Sequence, residues 1–289
     1  MNIYHTIKEI RQFVREARLS GKTVGFVPTM GYFHDGHLEL MRQAKKQCDV
    51  VVVSIFVNPT QFGPKEDFAK YPRNMERDAQ MSREVGVAAI FNPDVEEMYP
   101  EGYCTYVDVE RITEKLCGLT RPGHFRGVAT VVTKLFNIVQ PDKAYFGQKD
   151  AQQLLVIKRM VRDLDMDLEV VTVATKREAD GLAMSSRNIY LNETQRNGAL
   201  VLSKGLQAAA DAVAAGEKDI GVIRELVVKV IKSEPLAEID YVEIFSHPDL
   251  TDVKEISGSA LLAVAVKMGQ TRLIDNIILG VQRNVFDNV

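Results

Sequence analysis

The chain has 289 residues, 46% of them hydrophobic, which suffices for a full core and points to two domains. Its formal charge of −3 and its lack of tryptophan argue against a general polyanion-binding surface, so no nucleic-acid partner is expected. No apolar run approaches membrane-spanning length, and Cys48, Cys104 and Cys117 are too scattered for a Cys-x-x-Cys zinc site; no membrane partner and a reducing cytoplasmic setting are expected.

In chain order, Thr6-Ile-Lys-Glu9 reads as a capping box opening a helix whose inner face carries Ile7, Ile10, Val14 and Ala17, so the start does not read as a signal peptide. A strand follows at Thr23-Val-Gly-Phe-Val27, entered from Ser20-Gly21-Lys22 and stopped by Pro28. The next helix spans about 37–47, with Leu38, Met41 and Ala44 inward and Arg42, Lys45 and Lys46 toward water. Further strands are predicted at Val50–Phe56, Ala88–Phe91, Lys143–Phe146 and Leu168–Ala174, and helices near 74–85, 128–139 and 150–163. This alternation predicts an α/β, Rossmann-like domain over 1–175, with a mostly parallel sheet covered on both faces. Beyond 176 the texture changes. Helices at Ala199–Ala215 and Ile223–Ile231, then strands at Ile239–Ile244, Leu261–Val266 and Leu273–Leu279, predict a smaller C-terminal α+β domain over 176–289.

Ligands of parallel sheets gather beyond the carboxyl ends of strands, and the informative polar residues fall there. After the first strand comes Pro28-Thr-Met-Gly-Tyr-Phe-His34-Asp-Gly-His37. Gly31 and Gly36 allow close approach, and the first-turn amides of the helix can receive a phosphate. Zinc is the competitor, but the His-Glu-x-x-His spacing is lacking. Asn58-Pro-Thr-Gln61-Phe-Gly63 follows the second strand, and Gly147-Gln-Lys149-Asp150 a later one. Lys149 can neutralise phosphate and Asp150 can cap a helix or hold a nucleotide hydroxyl; a cap beside a solvated lysine is the plainer alternative. Gln152 and Gln153 point to different faces, so one of them can present an amide to a substrate. Met184-Ser-Ser-Arg187, after Asp180-Gly181, offers hydroxyls and a guanidinium to phosphate oxygens, or else a turn followed by a cap. Asp78 is either a surface or ion-paired carboxylate or an oxygen ligand for a nucleotide's magnesium. A P-loop, a Gly-x-Gly-x-x-Gly fingerprint and a Gly-x-Ser-x-Gly elbow are all lacking. What remains favours attack at an α-phosphorus with pyrophosphate leaving.

Taken together, Pro28-Thr-Met-Gly31, His34-x-x-His37, Phe56-Val-Asn-Pro-Thr-Gln-Phe62, Tyr71-Pro-Arg73, His124-Phe-Arg-Gly127, Phe146-Gly-Gln-Lys-Asp150 with Gln152-Gln153, Gly181–Asn188 and Thr271-Arg-Leu-Ile-Asp-Asn276 make the chain resemble the pantothenate synthetase family, the AMP-forming pantoate–β-alanine ligases. The histidine signature alone is shared by a wider nucleotidyltransferase superfamily. The resemblance implies that pantoate attacks the α-phosphate of Mg-ATP, and that β-alanine then attacks the adenylate to give pantothenate and AMP. It implies ATP contacts from Met30, Gly31, Tyr32, Phe33, His34, Asp35, Gly36 and His37, from Gly147, Gln148, Lys149 and Asp150, and from Lys176, Met184, Ser185, Ser186 and Arg187. Of these, His34, His37, Lys149, Ser185, Ser186 and Arg187 are the expected catalytic groups. Gln61 and Gln153 hold pantoate by the same resemblance, and Asp78 matches a position associated with Mg2+. Position 176 departs from the pattern: relatives commonly carry a small apolar residue there, only a backbone contact survives the change to lysine, and either Thr175 or Lys176 is expected to fill that place. The resemblance also implies a homodimer through the N-terminal domain, with Val50–Phe56 either near that interface or buried in the sheet. Closure of the C-terminal domain, excluding water from a hydrolysable adenylate, is a further expectation. The rivals are an adenylyl transferase acting on a phosphate ester, which leaves the two substrate glutamines without a role, and an RNA-binding module, which wants a basic aromatic surface.

Overall fold

The structure, a computed structural model, describes residues 1–64 and 66–280. The chain divides into two compact units, Met1–Gly147 with Gln152–Val173, and Gln148–Ala151 with the residues from Ala174 onward.

The first unit runs β1 (Asn2–Tyr4), α1 (Ile7–Leu19), β2 (Val24–Thr29), α2 (Asp35–Gln47), β3 (Val50–Ile55), α3 (Met75–Val85), β4 (Ala89–Phe91), α4 (Val95–Met98), α5 (Leu116–Thr120), α6 (His124–Val139), β5 (Lys143–Gly147), α7 (Ala151–Asp163) and β6 (Glu169–Val173). Its six strands lie in the order β1-β4-β3-β2-β5-β6, with every pairing parallel. β3, Val-Val-Val-Val-Ser-Ile, is buried along its whole length, as expected of a strand covered on both faces. Burial in the sheet accounts for the apolar pattern of Val50–Phe56.

Alternation along the strands separates two cores. Val27, Val53 and Tyr145 pack with Met41 and Ala44 of α2 and Ala79 of α3. Phe26 and Phe146 face the other way, with ring centroids 6.4 and 6.3 Å from Phe136 of α6. On the first face, a Cβ at Gly25 would lie 3.0 Å from Cys48 Sγ, so glycine is what lets the end of α2 close on β2. The chain winds outward from β2 to β3 and β4, then returns to place β5 on the other side of β2. That reversal puts the switch point, where open α/β sheets bind ligands, between the carboxyl ends of β2 and β5.

The predicted elements are present, with informative differences at their edges. Thr6 and Glu9 form the capping box of α1. β1 has no counterpart among the predicted strands; it is three residues long and exists only through pairing with β4. α6 begins four residues before its predicted start, because Gly123 caps it in the left-handed region, φ 80°, without any side-chain signal.

The second unit holds α8 (Glu193–Gly198), α9 (Val201–Ala214) and α10 (Ile220–Lys232) with β7 (Ala237–Ser246), β8 (Ala260–Met268) and β9 (Thr271–Leu279). Its three strands form an antiparallel sheet in chain order. Leu202, Leu206 and Ala209 of α9 and Ile223, Val227 and Ile231 of α10 pack with Val264, Leu273 and Ile277 in one core. The predicted Ala199–Ala215 helix is α9, trimmed at both ends.

Candidate active site

The turn after β2 is built by a carboxylate. Gly31 and Tyr32 both take positive φ, 82° and 52°, and so turn successive amides toward α3. There Asp78, 1% exposed, accepts the Tyr32 N–H at 2.6 Å and the Phe33 N–H at 2.8 Å, one on each oxygen. A Cβ at Gly31 would meet Asp78 Oδ2 at 3.0 Å and Ile55 at 2.9 Å, so no other residue fits this approach. Burial pushes the Asp78 carboxyl above its ordinary range, against the pull of the Phe33 and Tyr32 amides and of Arg77.

The histidines cap the helix that follows. His34 is the N-cap of α2, and its Nδ1 accepts the Gly36 N–H at 3.2 Å. His37, one turn inside, accepts the His34 N–H on its own Nδ1 at 3.4 Å. The arrangement copies a Ser-x-x-Glu capping box with imidazoles in both places. An Nδ1 that accepts carries no proton, so each neutral ring holds its hydrogen on Nε2. The rings lie 4.1 Å apart, centroid to centroid, and Phe33 supports His37 at 5.4 Å. This end of α2 therefore offers imidazole N–H donors beside the positive end of a helix dipole, an arrangement suited to phosphate oxygens.

Gln61 sits on a short 3-10 turn, Pro59–Gln61, and its amide has a fixed orientation. Asn58, 1% exposed, donates to Gln61 Oε1 at 3.1 Å and to the Gly127 carbonyl at 3.2 Å. Its Oδ1 accepts the Tyr99 hydroxyl at 2.9 Å; burial pushes that hydroxyl up to about 12, so it remains a donor. Gln61 Nε2 consequently turns away from Asn58 and reaches Met30 Sδ at 3.2 Å, a weak acceptor. The turn is clamped from beneath. His124 Nδ1 donates to the Gln61 carbonyl at 2.8 Å, and Arg121, which donates to His124 Nε2 at 3.0 Å, grips Glu66 with two 2.7 Å hydrogen bonds. Burial pushes Glu66 up, but the Arg121 hydrogen bond and charge outweigh it and hold the carboxyl below its ordinary range. Gly127 makes the contact possible, since a Cβ there would fall 2.3 Å from the Thr60 carbonyl oxygen.

The adjacent glutamines separate into different roles. Gln152 is buried, accepting the Cys117 N–H at 2.9 Å and donating to the Ile112 and Lys115 carbonyls at 2.8 and 2.7 Å. Gln153 is half-buried and has none of these structural bonds.

In the second unit, Gln148–Asp150 form a 3-10 turn in which Lys149 Nζ lies 3.9 Å from a half-exposed Asp150 carboxylate. The Lys176 carbonyl accepts the Met184 N–H at 3.0 Å, so the backbone of the departing residue 176 is used structurally. Asp180 Oδ1 accepts the Leu182 N–H, Gly181 takes φ 95°, and Ser185 caps the 3-10 turn Ser186–Tyr190. The turn-and-cap geometry is therefore present, with Ser186 buried and Arg187 half-buried on the capped turn.

Magnesium finds no protein cage. Among the described residues no group of three His, Cys, Asp or Glu side chains converges to hold a metal, and both Asp78 oxygens already accept amides. A magnesium carried on nucleotide phosphates and water does not require such a cage.

The comparisons with known proteins decide the family. The model of the family described as Pantoate-beta-alanine ligase matches residues 2–278. This chain belongs to the pantoate–β-alanine ligase family. The pantothenate synthetase of Pelotomaculum thermopropionicum is 70% identical over 280 residues, covering 97% of this chain and 99% of its own length. That of Moorella thermoacetica is 58% identical, with 97% and 99% covered. Among crystal structures, the pantothenate synthetase of Thermus thermophilus superposes with a TM-score of 0.90 at 47% identity, covering 96% of this chain and 99% of that one. The Francisella tularensis ligase, complexed with β,γ-ATP and β-alanine, gives 0.79 at 33%, with 96% and 97% covered. The family's reaction is the ATP-dependent condensation of pantoate with β-alanine.

For a ligase of this family, the residues that position Gln61 escape sequence reasoning. Asn58 and His124 lie inside quoted motifs, but no sequence signal joins His124 to a carbonyl 63 residues away. Asp78 is a buried carboxylate that lies 3.9 Å from Arg77 and holds the Tyr32 and Phe33 amides, and this last role is absent from the sequence alternatives. An Asp on the inner face of an amphipathic helix, beside Ala79 and Ser82, is the available signal that it is buried and serves backbone groups.

Proposed function

We propose that this chain is an ATP-dependent pantoate–β-alanine ligase working through pantoyl adenylate. The observation that carries the mechanism is the reciprocal His34/His37 cap, in which each Nδ1 accepts an amide and so places a neutral ring's proton on Nε2. A pantoate carboxylate oxygen attacks the α-phosphorus, the bond to the bridging oxygen breaks, and pyrophosphate leaves. The Nε2–H donors of His34 and His37 stabilise charge growing on phosphoryl oxygens, so we assign them electrostatic catalysis rather than proton transfer. The amine of β-alanine then attacks the acyl carbon; AMP leaves with the C–O bonding pair and the amine's proton goes to solvent, giving pantothenate.

Gln61 presents its NH2 to pantoate, and Gln153 is its partner in binding that substrate. Neutral amides suit the task because a charged partner would hold the carboxylate back from attack. Met30–His37, Gly147–Asp150, Lys176 and Met184–Arg187 contact the nucleotide, with Lys149, Ser185, Ser186 and Arg187 on its phosphates. We assign Asp78 to holding the Tyr32–Phe33 amides, and leave magnesium to the phosphates. The segment 1–175 is the ATP- and pantoate-binding domain and 176–289 acts as a lid; the assembly is a homodimer, which light scattering of the purified protein tests. Free thiols at Cys48, Cys104 and Cys117 fit a cytoplasmic setting.

Pyrophosphate release with pantoate and Mg-ATP, in the presence and absence of β-alanine, tests the chemistry. Pantothenate and AMP should form only when both acceptor substrates are present. Failure to form them under those conditions refutes the assignment.

A further inference from the structure

Strand β9 carries Thr271-Arg-Leu-Ile-Asp-Asn276, a motif of the family to which the mechanism above gives no role. Successive strand residues face opposite sides of a sheet. Leu273 and Ile277 join the core with α9 and α10, and Asp275 shares their face; Asn276 points from the other. Asp275, 3% exposed, accepts two parallel bonds from Arg177, at 2.7 and 2.9 Å. Arg177 also donates to the Gly181 carbonyl at 3.0 Å and pairs in a bridge with Ala183, which fixes the hairpin leading into Met184–Arg187.

On the other face, Asn276 is 6% exposed and every polar atom of its side chain is committed to one turn. Its Nδ2 donates to the Gln148 carbonyl at 3.0 Å and to the Lys149 carbonyl at 2.9 Å, and its Oδ1 accepts Gln148 Nε2 at 3.1 Å. Its backbone N–H donates to Asp275 Oδ1 at 2.8 Å, so the main chain at Asn276 also holds the carboxylate that Arg177 grips. Only a primary amide of this length satisfies two carbonyls and an amide donor at once.

We propose that Asn276 is a positioning residue for Lys149 in adenylate formation, and that the Asp275–Arg177 pair holds the Ser185–Arg187 segment in the same way. One strand thus sets the backbone of both phosphate-directed segments of the second unit. The proposal rests on the assignment of Lys149 to the phosphates.

The test uses single-turnover formation of pantoyl adenylate by the full-length enzyme, as wild type, Asn276→Asp, Lys149→Ala and the double variant. Asn276→Asp keeps size and the acceptor but turns a carboxylate oxygen toward two carbonyl oxygens. Its adenylation should slow by about 100-fold, the scale of an ångström-sized misplacement of a catalytic group. Pantoate affinity by calorimetry should stay within about twofold, and the double variant should be no slower than Lys149→Ala alone. Losses that multiply in the double variant, or a wild-type rate in Asn276→Asp, overturn the proposal. Asn276→Ala carries the same comparison if circular dichroism shows the Asp variant unfolded. Absence of adenylate from the wild type would instead sink the ligase assignment, a separate outcome.

Discussion

His34 donates its backbone N–H to the imidazole of His37, 3.4 Å away, and its own imidazole accepts the amide of Gly36. Two groups proposed for chemistry are thus part of the hydrogen bonding that starts α2. His37→Ala should lower the single-turnover rate of adenylate formation by about 100-fold or more, the usual cost of losing a preorganised charge-stabilising donor, with only modest loss of pantoate binding. His34→Asn preserves an N-cap while removing the ring, whereas His34→Ala removes both and should cost about 1 kcal/mol of stability in addition. An unchanged adenylation rate in His37→Ala refutes the electrostatic role.

The glutamines give a three-way contrast. Gln61→Ala and Gln153→Ala should weaken pantoate binding in calorimetry with little change in melting temperature. Gln152→Ala strands one buried amide and two carbonyls, and should destabilise the fold by roughly 2–4 kcal/mol in denaturant titration. Equal destabilisation by all three, or undiminished pantoate affinity in Gln61→Ala, counts against the division.

Gly127→Ala should damage the pantoate site from a distance. The new methyl would overlap the Thr60 carbonyl oxygen at 2.3 Å, so either α6 or the Gln61 turn must move. The expected result is a loss of stability of about 1–3 kcal/mol together with reduced pantoate affinity. A crystal structure of the variant with the Gln61 turn undisturbed would falsify this coupling.

Half-buried Glu66 and buried Asp78 should give opposite pH dependence. Glu66 is held below its ordinary 4.5, so its contribution is present above that value and lost as pH falls through the folded-state pKa. Asp78 is raised above 3.8, so between that value and its folded-state pKa the folded chain binds more protons, and its contribution declines as pH rises through the window. On acidification, the stability gap between wild type and Glu66→Gln should narrow, and the gap to Asp78→Asn should widen. Parallel pH profiles of chemical denaturation for wild type and both variants would contradict these assignments.

Local signals make most of the framework legible. Thr6 and Glu9 announce α1, the valines of β3 announce a covered strand, and Pro28 to His37 announce a strand-turn-helix junction. What stays hidden depends on partners distant in the chain. β1 acquires strand character only beside β4, and Asp78 reveals its function only when Tyr32 and Phe33, 46 and 45 residues away in sequence, turn their amides toward it. Gln152 and Gln153 look equivalent as letters. The segment Ile112–Cys117, which runs into α5, distinguishes them by supplying bonding partners to the first.

The double-histidine cap has a consequence for anyone scanning substitutions across this chain. At positions 34 and 37, cellular abundance and turnover will not vary independently: replacements that abolish chemistry also fray a helix and expose the chain to proteases. Asparagine, aspartate and serine at 34 should then stand apart as abundant but slow, and their separation from alanine measures how much of that histidine's apparent importance is architectural.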